Sequence, residues 1–190
     1  MVEILFHGRG GQGAVTAANI LVAAALRHGH RGVQAFPLFG AERRGAPVKA
    51  FARISDAEVH LRSQVYDADI SIVLDPGLLK LVDVTAGLKT DGSLILNTTR
   101  SPADFPFSHS LTVAAVDAAG IAVKHGLQIG GIPIVNTPIL GAVPRVTDVV
   151  DLDSIEQAIR QQWKGEAGER NASAAREAYE HTEVNAWVRK

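Results

Sequence analysis

The sequence predicts an α/β fold, a Rossmann-like, mostly parallel sheet with flanking helices and a helical C-terminal tail. Short apolar runs alternate with helical stretches along the chain, the pattern of strands joined by crossover connections. Two of those runs, ISIVLD (70–75) and SLILNT (93–98), are almost continuously apolar and finish on polar residues, as buried parallel strands do. The first run empties into a glycine loop that opens a long alanine-rich segment, the beginning of a βαβ unit.

Taken in order, Val2 to His7 reads as a buried strand and Ala14 to Arg27 as a helix closed by Gly29. Further strands are expected at Gly32–Phe36, Val48–Ile54, Ile70–Asp75, Ser93–Asn97 and Leu111–Val116, with helices around Pro76–Val82 and Ala118–Lys124. Asp75, Asn97 and Thr98 end strands, and on a doubly wound sheet they share one edge with Gly8–Gly13. Asp75 is placed to cap the helix that follows, and Asn136 or Thr137 to cap one that begins at Pro138. From Asp151 the character changes. LDSIEQAIRQQW carries Leu152, Ile155, Ile159 and Trp163 at helical spacing, and the stretch after it is polar. The expected division is a Rossmann-like domain over 1–163 and a polar, helical tail over 164–190.

Composition fits one compact domain, with 46% hydrophobic residues in a chain of 190. The 19 Lys and Arg nearly balance 20 Asp and Glu, which gives no reason to expect nucleic acid or an anionic membrane as partner. No apolar stretch approaches the roughly 20 residues of a membrane span, and the chain begins directly on strand-like VEILFH, so a cytoplasmic location is expected. The chain has no cysteine, which excludes disulfides, a cysteine nucleophile and cysteine-ligated iron–sulfur clusters from this polypeptide. The seven histidines show no metal-ligating spacing, and no Ser, His and Asp stand in a recognisable nucleophile context. We assign no catalytic residue and no metal ligand.

The chemistry lies in two loops. Gly8, Gly10 and Gly13 satisfy GxGxxG between a strand and a helix, where glycine lets the backbone approach an anion and the helix start stabilises phosphate. An NAD-type site also needs an acid about 20 residues further on. From Ile4 through Ala41 there is no Asp or Glu, which demotes that reading. Arg27, His28, His30 and Arg31 stand instead, either to meet an extra phosphate, as on NADP or coenzyme A, or as a solvated turn. Arg9 and Gln12 put directed side-chain donors on the glycine loop, whereas tight helix–strand packing would need only its glycines. His7, just before it, is either a donor to a ligand or a buried structural histidine. The second loop sets Glu42, Arg43 and Arg44 between Gly40 and Gly45; two adjacent guanidiniums there serve as an anion clamp, as ion pairs to another subunit, or as solvated surface charge.

Four stretches, FHGRGGQGAVTAA, QAFPLFGAERRGAPV, RSQVYDADISIVLDP and IVNTPILGAV, together resemble the gamma subunit of the 2-oxoacid:ferredoxin oxidoreductases, nearest the pyruvate and 2-ketoisovalerate branch. The likeness runs from Met1 to about Trp163. It implies a non-catalytic subunit of an enzyme that converts a 2-oxoacid and coenzyme A to acyl-CoA, CO2 and reduced ferredoxin. The thiamine diphosphate belongs to alpha and beta partner subunits, and iron–sulfur clusters to other chains, among them a ferredoxin-like delta subunit or domain. Ferredoxin is the external acceptor, and the isolated chain is not expected to be active. The resemblance carries coenzyme A contact to Arg9, Gly10, Gly11, Gln12 and Gly13 and to the arginine motif, Arg43 and Arg44, with contact to a neighbouring subunit as the other use of the glycine loop. Three alternatives stand beside it: a stand-alone NADP-dependent reductase, a regulatory nucleotide-binding module and a purely structural subunit.

Overall fold

The computed structural model describes residues 1–38 and 45–185. In chain order the elements are β1 (Val2–Arg9), α1 (Ala14–His28), β2 (Gly32–Pro37), β3 (Pro47–Ser55), β4 (Ala68–Val73), β5 (Leu88–Asn97), β6 (Thr112–Val116) and α2 (Ala118–Lys124). A small hairpin, β7 (Gln128–Ile129) and β8 (Ile132–Pro133), precedes α3 (Leu152–Gln162), α4 (Glu166–His181) and β9 (Glu183–Asn185). One sheet of seven strands runs β2-β3-β1-β4-β5-β6-β9. Its centre, β1-β4-β5-β6, is parallel, while β3 pairs antiparallel with β1 and with β2, and β9 antiparallel with β6. The expected α/β sheet is therefore present, with both flanks turned antiparallel.

The helices distribute differently from a sheet wound on both sides. Residues of α1, α2, α3 and α4 all join one core with Ile4 and Phe6 of β1, Ile70 and Ile72 of β4, and Ala114 and Val116 of β6. The other face is covered by segments without an α-helix, in clusters built on Val73, Leu78, Leu94 and Leu96 and on Leu5, Phe51 and Val65. Two of these segments are marked by proline. The β4–β5 crossover opens on Pro76, and the β5–β6 crossover carries Pro102 and Pro106, each at the start of a short 3-10 turn. The helix expected over Pro76–Val82 is accordingly a 3-10 turn over Pro76–Lys80. The same face holds a buried polar group in which Arg53, 1% exposed, donates to Glu3 at 2.7 Å and to Gln34 at 3.1 Å.

Local signals hold where they have a mechanism. Gly29 closes α1 at φ 113°, a left-handed conformation that suits glycine. Asp151 and Ser154 form a reciprocal capping box on α3. At Pro138–Arg145 the chain makes a 3-10 helix, yet neither Asn136 nor Thr137 caps it: the Thr137 hydroxyl donates instead to Asn171 of α4 at 2.6 Å. The described part of the tail set apart by its polarity, residues 164–185, supplies α4 and β9 to the body of the fold. Helix α4 buries Ala172, Ala174, Ala175 and Ala178 in the main core, and a side chain at Gly141 would meet the Ala175 carbonyl. Alanine's small apolar surface, interleaved with Glu and Arg, hides this stripe from a reading by hydrophobic bulk.

Candidate functional site

Strand β1 passes through α1 toward β2 and β3 on one side, whereas β4 leads to β5 on the other. The strand order therefore reverses between β1 and β4, and a crevice beyond their carboxyl ends is where ligands of open α/β sheets lie. Arg9 ends β1 on one bank, and Asp75 follows β4 on the other. The Arg9 Nε donates to Asp75 Oδ2 at 2.8 Å, and Gln12 Nε2 donates to the same oxygen at 2.9 Å. Asp75 Oδ1 accepts from the Gly77 amide at 2.8 Å, so the carboxylate caps its 3-10 turn as expected while tying the two banks together. Arg9 also donates from Nη1 to the Gly45 carbonyl at 3.1 Å, and its amide donates to Gln12 Oε1 at 2.8 Å. Arg9 and Gln12, which the sequence offers to a ligand, thus brace the loop through Arg9 Nε and Nη1 and Gln12 Nε2.

The loop is held through its backbone as well. Gly10 is bridged to the start of β3, donating to Ala46 at 2.9 Å and accepting from Gly45 at 3.1 Å, and the Gln12 amide donates to the Arg9 carbonyl at 2.9 Å. Gly13 is the N-cap residue of α1 at φ 79°, with no side-chain cap and no acid in the first turn. A helix start of this kind carries a partial positive charge. Against Gly13 lies a residue that sequence reasoning assigned elsewhere: the Asn136 amide sits so close that a methyl group built on Gly13 would approach its Nδ2 to 2.6 Å. Asn136 is 6% exposed, and its Oδ1 has no hydrogen-bond partner among the described residues. Nothing local in the sequence joins Gly13 to Asn136, because only the tertiary fold brings the 3-10 segment onto the end of α1.

His7 is buried with its Nε2 unpartnered among the described residues. Burial, reinforced by the Lys49 ammonium and opposed by Asp83, pushes its pKa down to about 4. Asn97 donates to the Leu74 carbonyl at 2.8 Å and accepts from the Ala119 amide at 3.1 Å, linking β5 to the end of β4 and to α2. The basic group at the other end of α1 is remote from the loop, since 15 residues of helix rise about 22 Å. There His28 faces Asp151 at 3.4 Å, His30 faces Asp56 at 2.7 Å and Arg27 donates to Gln161. These residues face the protein's own groups, which removes them as a phosphate contact for this loop. Arg43 and Arg44 lie outside the described residues; the next residue, Gly45, is the one bonded to Gly10. Beside the crevice, a cavity of about 700 Å³ lined by Pro76, Gly77, Lys80, Asp83, Arg100 and Phe107 opens on the thinner face. No helix among the described residues is long and apolar enough to cross a membrane.

Three likenesses to known proteins bear on this arrangement. The chain is 54% identical over 187 residues to the common gamma subunit of the pyruvate/ketoisovalerate oxidoreductases of Pyrococcus furiosus, covering 97% of this chain and 98% of that one. The crystal structure of the pyruvate oxidoreductase subunit PORC of Thermotoga maritima superposes with a TM-score of 0.79 at 39% identity, over 96% of this chain and 97% of that one. At 16% identity, the 2-oxoglutarate:ferredoxin oxidoreductase of Magnetococcus marinus, solved with 2-oxoglutarate, coenzyme A and succinyl-CoA bound, shares the fold with a TM-score of 0.73, over 94% of this chain and 30% of that one. The family model for pyruvate ferredoxin/flavodoxin oxidoreductase matches residues 3–181, and with this near full-length correspondence the chain belongs to that family.

Proposed function

We propose that this chain is the gamma subunit of a multi-subunit, pyruvate-type 2-oxoacid:ferredoxin oxidoreductase and that it contributes a coenzyme A contact and an assembly surface. The observation that carries the subunit role is the end-to-end correspondence with a protein named as a gamma subunit of such an enzyme. The division of labour agrees with the sequence: a chain without cysteine leaves cysteine-ligated iron–sulfur clusters to partner subunits, and thiamine diphosphate goes to the alpha and beta chains. The expected set is completed by a ferredoxin-like delta subunit or domain and by ferredoxin, in the cytoplasm.

Coenzyme A supplies the thiol that takes up the acyl group. The residues present fit its diphosphate at the start of α1: an uncapped helix end with no acid in its first turn, a glycine backbone at Gly11 and Gly13 that allows close approach, and a buried amide beside it, while the nearby Asp75 is paired with Arg9. In this reading Gly11 and Gly13 present backbone to the anion, Gly10 anchors the loop to β3, and Arg9 and Gln12 hold its shape through Asp75. Arg43 and Arg44, two residues of the arginine motif, are the second proposed contact to the coenzyme A phosphates. Calorimetry on the purified assembly tests the reading, with coenzyme A expected to bind and NAD expected not to. NAD binding at micromolar strength without coenzyme A binding would overturn it. An Arg43→Ala/Arg44→Ala assembly with unchanged coenzyme A affinity and salt resistance would remove the arginine pair from the site.

A further inference from the structure

We infer that Asp75 is a positioning residue of the glycine loop: acting through Arg9 and Gln12, its carboxylate fixes the conformation in which residues 9–13 receive coenzyme A. The inference rests on the reading of that loop as a coenzyme A contact and gives a role in it to a residue that follows a different strand. One oxygen, Asp75 Oδ2, accepts from Arg9 Nε at 2.8 Å and from Gln12 Nε2 at 2.9 Å, so a single atom grips the loop on both sides of Gly10 and Gly11. The other, Oδ1, accepts from the Gly77 amide at 2.8 Å and anchors the carboxylate to the turn after β4. Arg9 passes the restraint on, donating from Nη1 to the Gly45 carbonyl beside the arginine motif. The turn makes room for the clasp. A methyl group on Gly77 would stand 2.9 Å from Asp75 Oδ1 and 3.1 Å from Arg9 Nη2, so glycine is what lets the guanidinium lie this close to the turn.

Charge and position pull in opposite directions here. A carboxylate near a diphosphate repels it, so by Coulomb's law alone the loss of Asp75 strengthens coenzyme A binding. A loop gripped by two charge-assisted hydrogen bonds is instead pre-organised, and the loss of Asp75 frees Arg9 and Gln12 and lets the glycine backbone leave the geometry an anion needs. The carboxylate serves two donors, and the Arg9 and Asp75 side chains are mostly withdrawn from solvent, 28% and 19% exposed, unlike a simple surface ion pair. Position therefore prevails, and the sign of the effect identifies it.

The test uses the assembled enzyme and coenzyme A as probe. Asp75→Asn keeps the size of the side chain and an oxygen for the Gly77 amide, but turns an N–H donor toward Arg9 and Gln12. Asp75→Ser also suits the start of the turn and is too short to grip either side chain. Gly77→Ala leaves the charge untouched and crowds the clasp. The Michaelis constant for coenzyme A is expected to rise about tenfold in both Asp75 variants and about threefold in Gly77→Ala, with kcat and the 2-oxoacid constant little changed. In the wild-type assembly, hydrogen exchange of residues 11–15 is expected to slow with saturating coenzyme A. If the loop is protected while both Asp75 variants keep or lower the wild-type Michaelis constant, the positioning role is overturned and the coenzyme A reading stands. If the wild-type loop gains no protection, both fall. If neither Asp75 variant assembles, the carboxylate serves the fold and the positioning role is overturned as well.

Discussion

His7 is a neutral imidazole by position, and its pKa converts that position into a pH dependence. Its folded pKa is about 4 against 6.5 for an ordinary histidine, so between those values the unfolded chain binds a proton that the folded chain refuses. The associated stability is complete above pH 6.5 and is lost as pH falls toward 4, amounting to about 3 kcal/mol at most. Denaturant titrations of wild type and His7→Gln across that window should converge or cross as pH falls, because only the wild type carries the histidine's loss. Parallel pH profiles would show that His7 accepts its proton freely in the fold. At this scale Asp75 was legible as a cap, since that role follows from a strand end, and the burial of His7 agrees with the structural one of its two readings. Arg9 and Gln12 were not legible as braces, because their partner Asp75 lies across the switch point on another strand.

Among elements, the start of α1 concentrates the functional argument, and its glycines differ. Gly11 and Gly13 both have positive φ, 96° and 79°, but a methyl group on Gly11 meets open space whereas one on Gly13 meets Asn136. Either substitution to alanine carries the left-handed penalty, on the order of 1 to 3 kcal/mol. Gly13→Ala carries the collision as well. Thermal unfolding should therefore place Gly13→Ala below Gly11→Ala, and equal melting temperatures would mean that Asn136 yields without cost. The helix itself was legible from Ala14 to Gly29, because an apolar face and a closing glycine mark it. The 3-10 turn at Pro76 was anticipated as a helix, since the proline that permits a first turn does not by itself reveal that the turn stops there.

The whole molecule is one packing unit in which the end of the chain is structural. Truncation after Trp163 removes α4, with its four buried alanines, and β9, which pairs with β6 through Val113, Ala114 and Ala115. The truncated chain is expected to lose cooperative unfolding and to expose its apolar core to a hydrophobic dye; a sharp thermal transition would instead show that residues 1–163 fold alone. The α/β class, the positions of β1 to β6 and the glycine loop were readable because local patterns encode them, whereas the two- and three-residue strands β7, β8 and β9 are too short to leave a pattern. The one-sided distribution of helices was not, since it follows from which way each crossover turns. That distribution also orders events in time. Helices α3 and α4 are joined by three residues and pack on each other with little loop closure, extending internal hydrogen-bond ladders as they grow, whereas the contact of α3 with α1 closes a loop of more than a hundred residues. The proline-bounded turns opposite have no such ladder and gain order only from a sheet already in place. The crevice between β1 and β4 needs Asp75 to hold Arg9, so it is complete only once segments 66 residues apart in the chain have met.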